Sequence, residues 1–112
     1  MEIVDAMTTA QTANPHEVDA RGLHENDHVQ VVMITLQPGE SLKRHITPVD
    51  VCFYVLAGEG VVEIGDEQAH VSKDMLVDSP ARVAHCLSNP GESAFRFLVI
   101  KTPRPTARTQ IL

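Results

Sequence analysis

The stretch from Gly39 to Gly58, GESLKRHITPVDVCFYVLAG, decides the fold. Its run Val51 to Leu56 is dense in β-branched and aromatic residues and too short for a helix, so it reads as a strand. Successive side chains of a strand point to opposite faces. Counting by twos from His45 puts Thr47, Val49, Val51, Phe53 and Val55 on the histidine's face. A polar head therefore runs into an apolar wall, the profile of a pocket mouth in a β-barrel or sandwich. Cys52 and Tyr54 fall on the other face. A packed, unreactive thiol is expected at Cys52 and an outer-layer or interface ring at Tyr54.

Outward from this stretch, short strands recur between turn signals. Residues 28–36 (HVQVVMITL) are apolar on both faces, so both are expected to be covered. Gln37-Pro38-Gly39-Glu40 is a turn with proline ahead of glycine. After Gly58-Glu59-Gly60 come VVEI, a tight hairpin at Gly65-Asp66, EQAHVSK, MLVDS stopped by Pro80, and VAHCL stopped by Asn89-Pro90-Gly91. SAFRFLVIK is the last strand expected, with Phe95, Phe97 and Val99 on one face. No segment holds a helical period. The pattern predicts an all-β sandwich or barrel, with a core over residues 28–101. Residues 1–14 form an arm that is loose or adds a short strand. Residues 102–112 form a tail whose prolines keep it out of a sheet interior.

At 112 residues the chain is expected to be one domain. Its formal net charge of −6 argues against a sequence-independent grip on nucleic acid or an anionic membrane. It has no apolar run of membrane-spanning length and no basic, apolar leader at its start. Cys52 and Cys86 form neither a CxxC pair nor a disulfide framework, so a reducing cytoplasm is the expected location.

The spacing of Gly39, His45, Thr47, Val51 and Gly58 resembles the first motif of the cupin family, with Thr47 in place of a second histidine and Val51 in place of a glutamate. Asp74, Pro80, Arg82, His85 and Asn89 resemble the second motif, in which proline, histidine and asparagine match and both glycines are replaced. The resemblance implies a double-stranded β-helix jelly-roll barrel with His45 and His85 facing inward. In typical metal-binding cupins the matched positions hold a divalent transition metal (zinc, nickel, iron or manganese) with histidines and a glutamate. Here His45 and His85 alone remain as candidate ligands at matching positions.

Asp50 neighbours the lost glutamate. Strict alternation turns it to the opposite face, whereas a one-residue bulge beside Pro48 would swing it toward His45 and complete a facial set of two histidines and a carboxylate. Thr47, Val51 and Phe53 are the expected pocket walls, with Arg82 at the mouth, where it either meets a carboxylate ligand or is a solvated loop arginine, the second being favoured. His16, His24, His28 and His70 read as surface residues and Cys86 as a second buried thiol. The expected function is binding of a small molecule, with a divalent metal as a further occupant. The alternative is a metal-dependent enzyme of the dioxygenase, isomerase or decarboxylase sort. The resemblance also implies a homodimer, for which Met1, Ile3, Val4 and strand 28–36 are the candidate contacts, with cover for an exposed sheet edge as the motive.

Overall fold

The computed structural model describes residues 1–112, and it contains strands and turns without a helix. No helix is long and apolar enough to cross a membrane. The strands are β1 (Asp19–Asn26), β2 (Val29–Leu36), β3 (His45–Ile46), β4 (Asp50–Ala57), β5 (Glu59–Ile64), β6 (Glu67–Ser72), β7 (Leu76–Ser79), β8 (His85–Ser88), β9 (Phe95–Thr102) and β10 (Gln110–Ile111). They form two five-stranded sheets of order β1-β2-β9-β4-β7 and β10-β3-β8-β5-β6, and every pairing is antiparallel. This is the expected all-β jelly roll, two sheets closing over one core.

Alternation builds that core. Val51, Phe53 and Val55 of β4 lie beside Phe95, Phe97 and Val99 of β9, and all six are buried. Ile34 and Leu36 of β2 join them from the first sheet, Val62, Val71 and Leu87 from the second. Phe53 and Phe97 meet edge to face at 6.1 Å, and Phe95 stacks at a tilt on Phe97 at 5.0 Å. Each fully buried aromatic or branched side chain contributes about 1.5–3 kcal/mol through the apolar area it removes from water.

Turn chemistry agrees with the reading of the sequence. Gly39, Gly58 and Gly65 take φ of 86°, 75° and 57°, the left-handed region where a side chain would be strained. Gly65 and Asp66 close the two-residue hairpin between β5 and β6.

Two expectations need correction. Strand β2 lies between β1 and β9 and so has no free edge to offer a second copy; the edges of its sheet are β1 and β7. Strand β9 is not the last: the tail adds β10, which pairs with β3 through two residues at the edge of the second sheet and so still stays out of a sheet interior. Pro103 and Pro105 lie ahead of that strand, in the crossing from one sheet to the other.

Candidate functional site

Four inward positions define a gradient along the barrel. From one end to the other, β9 presents Phe95, Phe97, Val99 and then Lys101. Strand β8 runs the opposite way, with His85 level with the valine end and Leu87 level with the phenylalanines. The half of the barrel that lacks phenylalanine beyond Phe53 is a cavity of about 500 Å³, a size that small-ligand pockets span. Ile34, Val51, Phe53 and Val99 wall it, and His45, Thr47 and His85 supply its polar side.

His45 and His85 meet because β3 and β8 pair at those two residues. Their Nε2 atoms lie 2.9 Å apart, and the rings cross edge to face at 4.3 Å. The proton positions follow from their partners. The Lys43 carbonyl, 2.6 Å from His45 Nδ1, has no proton to give, so His45 Nδ1–H donates to it. In the neutral ring His45 Nε2 is therefore an acceptor. His85 Nε2–H donates to it and is shared with Thr47 Oγ1 at 3.2 Å. His85 Nδ1 then accepts from the Ser79 hydroxyl at 2.7 Å. The relay Ser79–His85–His45–Lys43 carries one proton per link and is satisfied with both rings neutral. Burial holds the His85 pKa down to about 3, with the cationic forms of His45, Lys101 and His16 acting in the same direction. The His45 pKa is lowered chiefly by burial, in part offset by its bond to the Lys43 carbonyl.

His16, expected at the surface, is half-buried with its ring 4.6 Å from that of His45. The loop that carries it is tied by Asn14, whose Oδ1 accepts from the His16 amide and whose Nδ2 donates to the Val18 carbonyl. The Lys43 N–H donates to His16 Nδ1 at 2.9 Å. One residue's backbone thus orients both His16 and His45, and the neutral His16 ring keeps its proton on Nε2. Its pKa is lowered to about 4, first by desolvation and then by His45, Lys101 and Lys43.

Thr47, Val51 and Phe53 line the cavity as expected; Phe53 stands 5.3 Å from the His85 ring, edge to face. Asp50 and Arg82 are not brought to it. Asp50 is paired in regular register with Thr102, so no bulge turns it inward; it is exposed, and its Oδ1 accepts from the Ala81 amide at 2.8 Å. Arg82 is exposed in the loop before β8 with φ of 65°, and its amide donates to the Thr47 carbonyl. The motif glycine it replaces sits where left-handed backbone is required. Lys101, Arg108 and Thr109 line the cavity instead. Lys101 was legible by extending the alternation of Phe95, Phe97 and Val99 by one more step. Nothing local marks His16, Arg108 or Thr109.

The donor set does not fit a tightly held divalent ion. No group of three His, Cys, Asp or Glu side chains is placed to hold a metal ion, although the His16, His45 and His85 rings lie close together. Asp50 faces away, Val51 has no donor, and the Nδ1 lone pair of His16 is taken by the Lys43 amide. Two neutral imidazoles and a hydroxyl remain, with the Lys101 ammonium in the same cavity. Metals of this class are held by at least three protein ligands drawn from imidazole, carboxylate and thiolate.

Known proteins share this architecture. Over 84 residues the chain is 29% identical to the uncharacterised protein MJ0764 of Methanocaldococcus jannaschii, a match spanning 74% of this chain and 72% of that one. The crystal structure of TT1209 from Thermus thermophilus superposes with a TM-score of 0.81 and 31% identity, covering 94% of this chain and 100% of that chain. The polyketide cyclase RemF from Streptomyces resistomycificus superposes with a TM-score of 0.85, covering 100% of this chain and 85% of that one, at 18% identity, a likeness of fold alone. With both motifs in place on a two-sheet barrel and residues 32–101 matching the Cupin domain model of the Cupin_2 family, the chain belongs to the cupins.

Proposed function

We propose that this cupin binds a small organic molecule in the open half of its barrel. The observation that carries the reading is a roughly 500 Å³ cavity with apolar walls and a fixed, fully hydrogen-bonded imidazole pair on one side. Such a cavity accepts an apolar body and orients a polar group. A neutral imidazole pair in a set tautomeric order discriminates between donors and acceptors on that group. The reading includes no resident divalent metal, because no third protein ligand with a free lone pair joins His45 and His85.

An enzyme built on the same residues is the weaker reading. His85 is held neutral with its conjugate acid at about 3, so its affinity for a substrate proton is low. The polyketide cyclase of similar fold shows that such a barrel hosts chemistry in another protein, and fold alone does not carry activity across.

Pairing with a second copy and a cytoplasmic location belong to the same proposal. Met1, Ile3 and Val4 are exposed apolar side chains at the N-terminus, and both cysteines are free. Light scattering of the full chain against a variant with Met1, Ile3 and Val4 changed to serine tests the pairing; a monomer in both sinks it.

The binding reading is tested by thermal-shift screening with small carboxylic acids, amides and sugars. A ligand that favours the native state raises its stability by mass action. At least one compound class should raise the Tm of the parent and raise that of Val51→Phe, which narrows the cavity, by less. A flat response across the library overturns the reading.

A further inference from the structure

The mouth of the cavity carries cationic groups on a chain whose formal net charge is −6. Lys101 takes the inward parity of Phe95, Phe97 and Val99 and lines the cavity. The four ion pairs of the chain lie elsewhere, and no carboxylate partners the Lys101 ammonium. No Asp or Glu lines the cavity at all. Burial lowers the Lys101 pKa from its ordinary value, the mark of a cation desolvated without a counter-ion. Arg108, exposed on the tail, reaches the same opening.

An unpaired, partly buried cation costs free energy that a methionine or leucine at position 101 would not. Packing alone therefore gives no reason for a lysine. The remaining polar groups point the same way. His16 keeps its proton on Nε2 because Nδ1 is already an acceptor, and Thr47 adds a hydroxyl. On the sheet that also carries Lys101, Ile34, Val51, Phe53 and Val99 offer only hydrocarbon.

Resting on the reading of the cavity as a small-molecule site, we propose that its ligand is a carboxylate with an apolar body. The carboxylate group meets Lys101 and Arg108 at the mouth, and the apolar body lies along Val51, Ile34 and Phe53. The ligand supplies the counter-charge that the fold omits. Lys101 is then the residue that selects anion over neutral molecule, and the imidazole pair sits beyond it against the ligand's flank.

Titration calorimetry of the full chain with hexanoate, octanoate and benzoate, each against its primary amide, separates charge from shape. At least one acid should bind on the order of 10- to 100-fold tighter than its amide, the margin of a hydrogen bond to a charged group. Lys101→Met should erase that margin while leaving amide binding in place, and Lys101→Arg should keep most of it. If Lys101→Met fails to fold, Arg108→Gln, at an exposed position, should still narrow the margin. Amides binding as tightly as the acids, or a margin untouched in Lys101→Met and Arg108→Gln, overturns the anion inference and leaves the small-molecule reading standing. No binding of acids or amides, joined to a flat thermal-shift screen, overturns both.

Discussion

The two ends of this barrel are built by the same strands and have opposite interiors. At the closed end Phe95 and Phe97 fill the space between the sheets, and the chain at Gly60 approaches so closely that a Cβ there would overlap the Phe95 ring and the Ser88 carbonyl. Asn89 seals that end, its Nδ2 donating to the Leu36 and Ser93 carbonyls and its Oδ1 accepting from the Gly91 amide. At the open end the same inward positions carry Val51, His85 and Lys101, and the space between them is a cavity. Phe53 is the boundary, touching Phe97 on one side and His85 on the other. One half stabilises the molecule, which frees the other half to hold polar groups and empty volume.

Substitutions at the two ends should therefore behave differently. The largest effect is expected from Phe97→Ala, which opens a void where nothing can collapse and should cost about 3–5 kcal/mol in denaturant unfolding. A loss under about 1 kcal/mol would mean that the closed end is not the stabilising half. Adding volume sharpens the contrast. Gly60→Ala should cost about 1–3 kcal/mol, whereas Val51→Phe, whose new atoms enter the cavity, should cost under about 1 kcal/mol. Equal losses from the two would erase the distinction.

Acid should weaken the open end selectively. The folded-state pKa of His85 lies at about 3, below the 6.5 of an unperturbed histidine. The unfolded chain thus takes up its proton first. Stability is insensitive to this group above about pH 6.5 and falls as pH drops through the window from about 6.5 to about 3. The slope from this one residue is at most about 1.4 kcal/mol per pH unit. Urea unfolding across roughly pH 4 to 8 should show the fall in the parent and a shallower one in His85→Gln; identical profiles would remove His85 as the source. The smallest effect is expected at Asp50. Asp50→Asn weakens one exposed hydrogen bond to the Ala81 amide and should cost about 0.5–1 kcal/mol, with ligand affinity unchanged. A large loss of affinity would return Asp50 to the site.

Much of this arrangement was legible before any coordinates. The period-two pattern through β4 and β9 named the inward residues, and the Gly65-Asp66 hairpin followed from turn chemistry. The placement of His45 and His85 in one pocket rested on the spacing of two motifs. The same alternation would have delivered Lys101, had it been carried one step past Val99. The Asp50 question was open in one dimension, because a bulge and a regular strand share the same sequence. The pairing of Asp50 with Thr102 settled it.

Which residues face inward, and that the chain folds as strands, were properties of the sequence alone, since side-chain alternation and turn geometry act over a few residues. The company those residues keep was decided by the tertiary structure. His16 reaches His45 across 29 positions of chain only because the Lys43 backbone holds both rings, one through its N–H and the other through its carbonyl. Arg108 and Thr109 come to the cavity because β10 adds to the edge at β3. Hydrogen bonds and burial between segments distant in the chain leave no local periodicity, so the composition of the pocket could be read only once the sheets had closed.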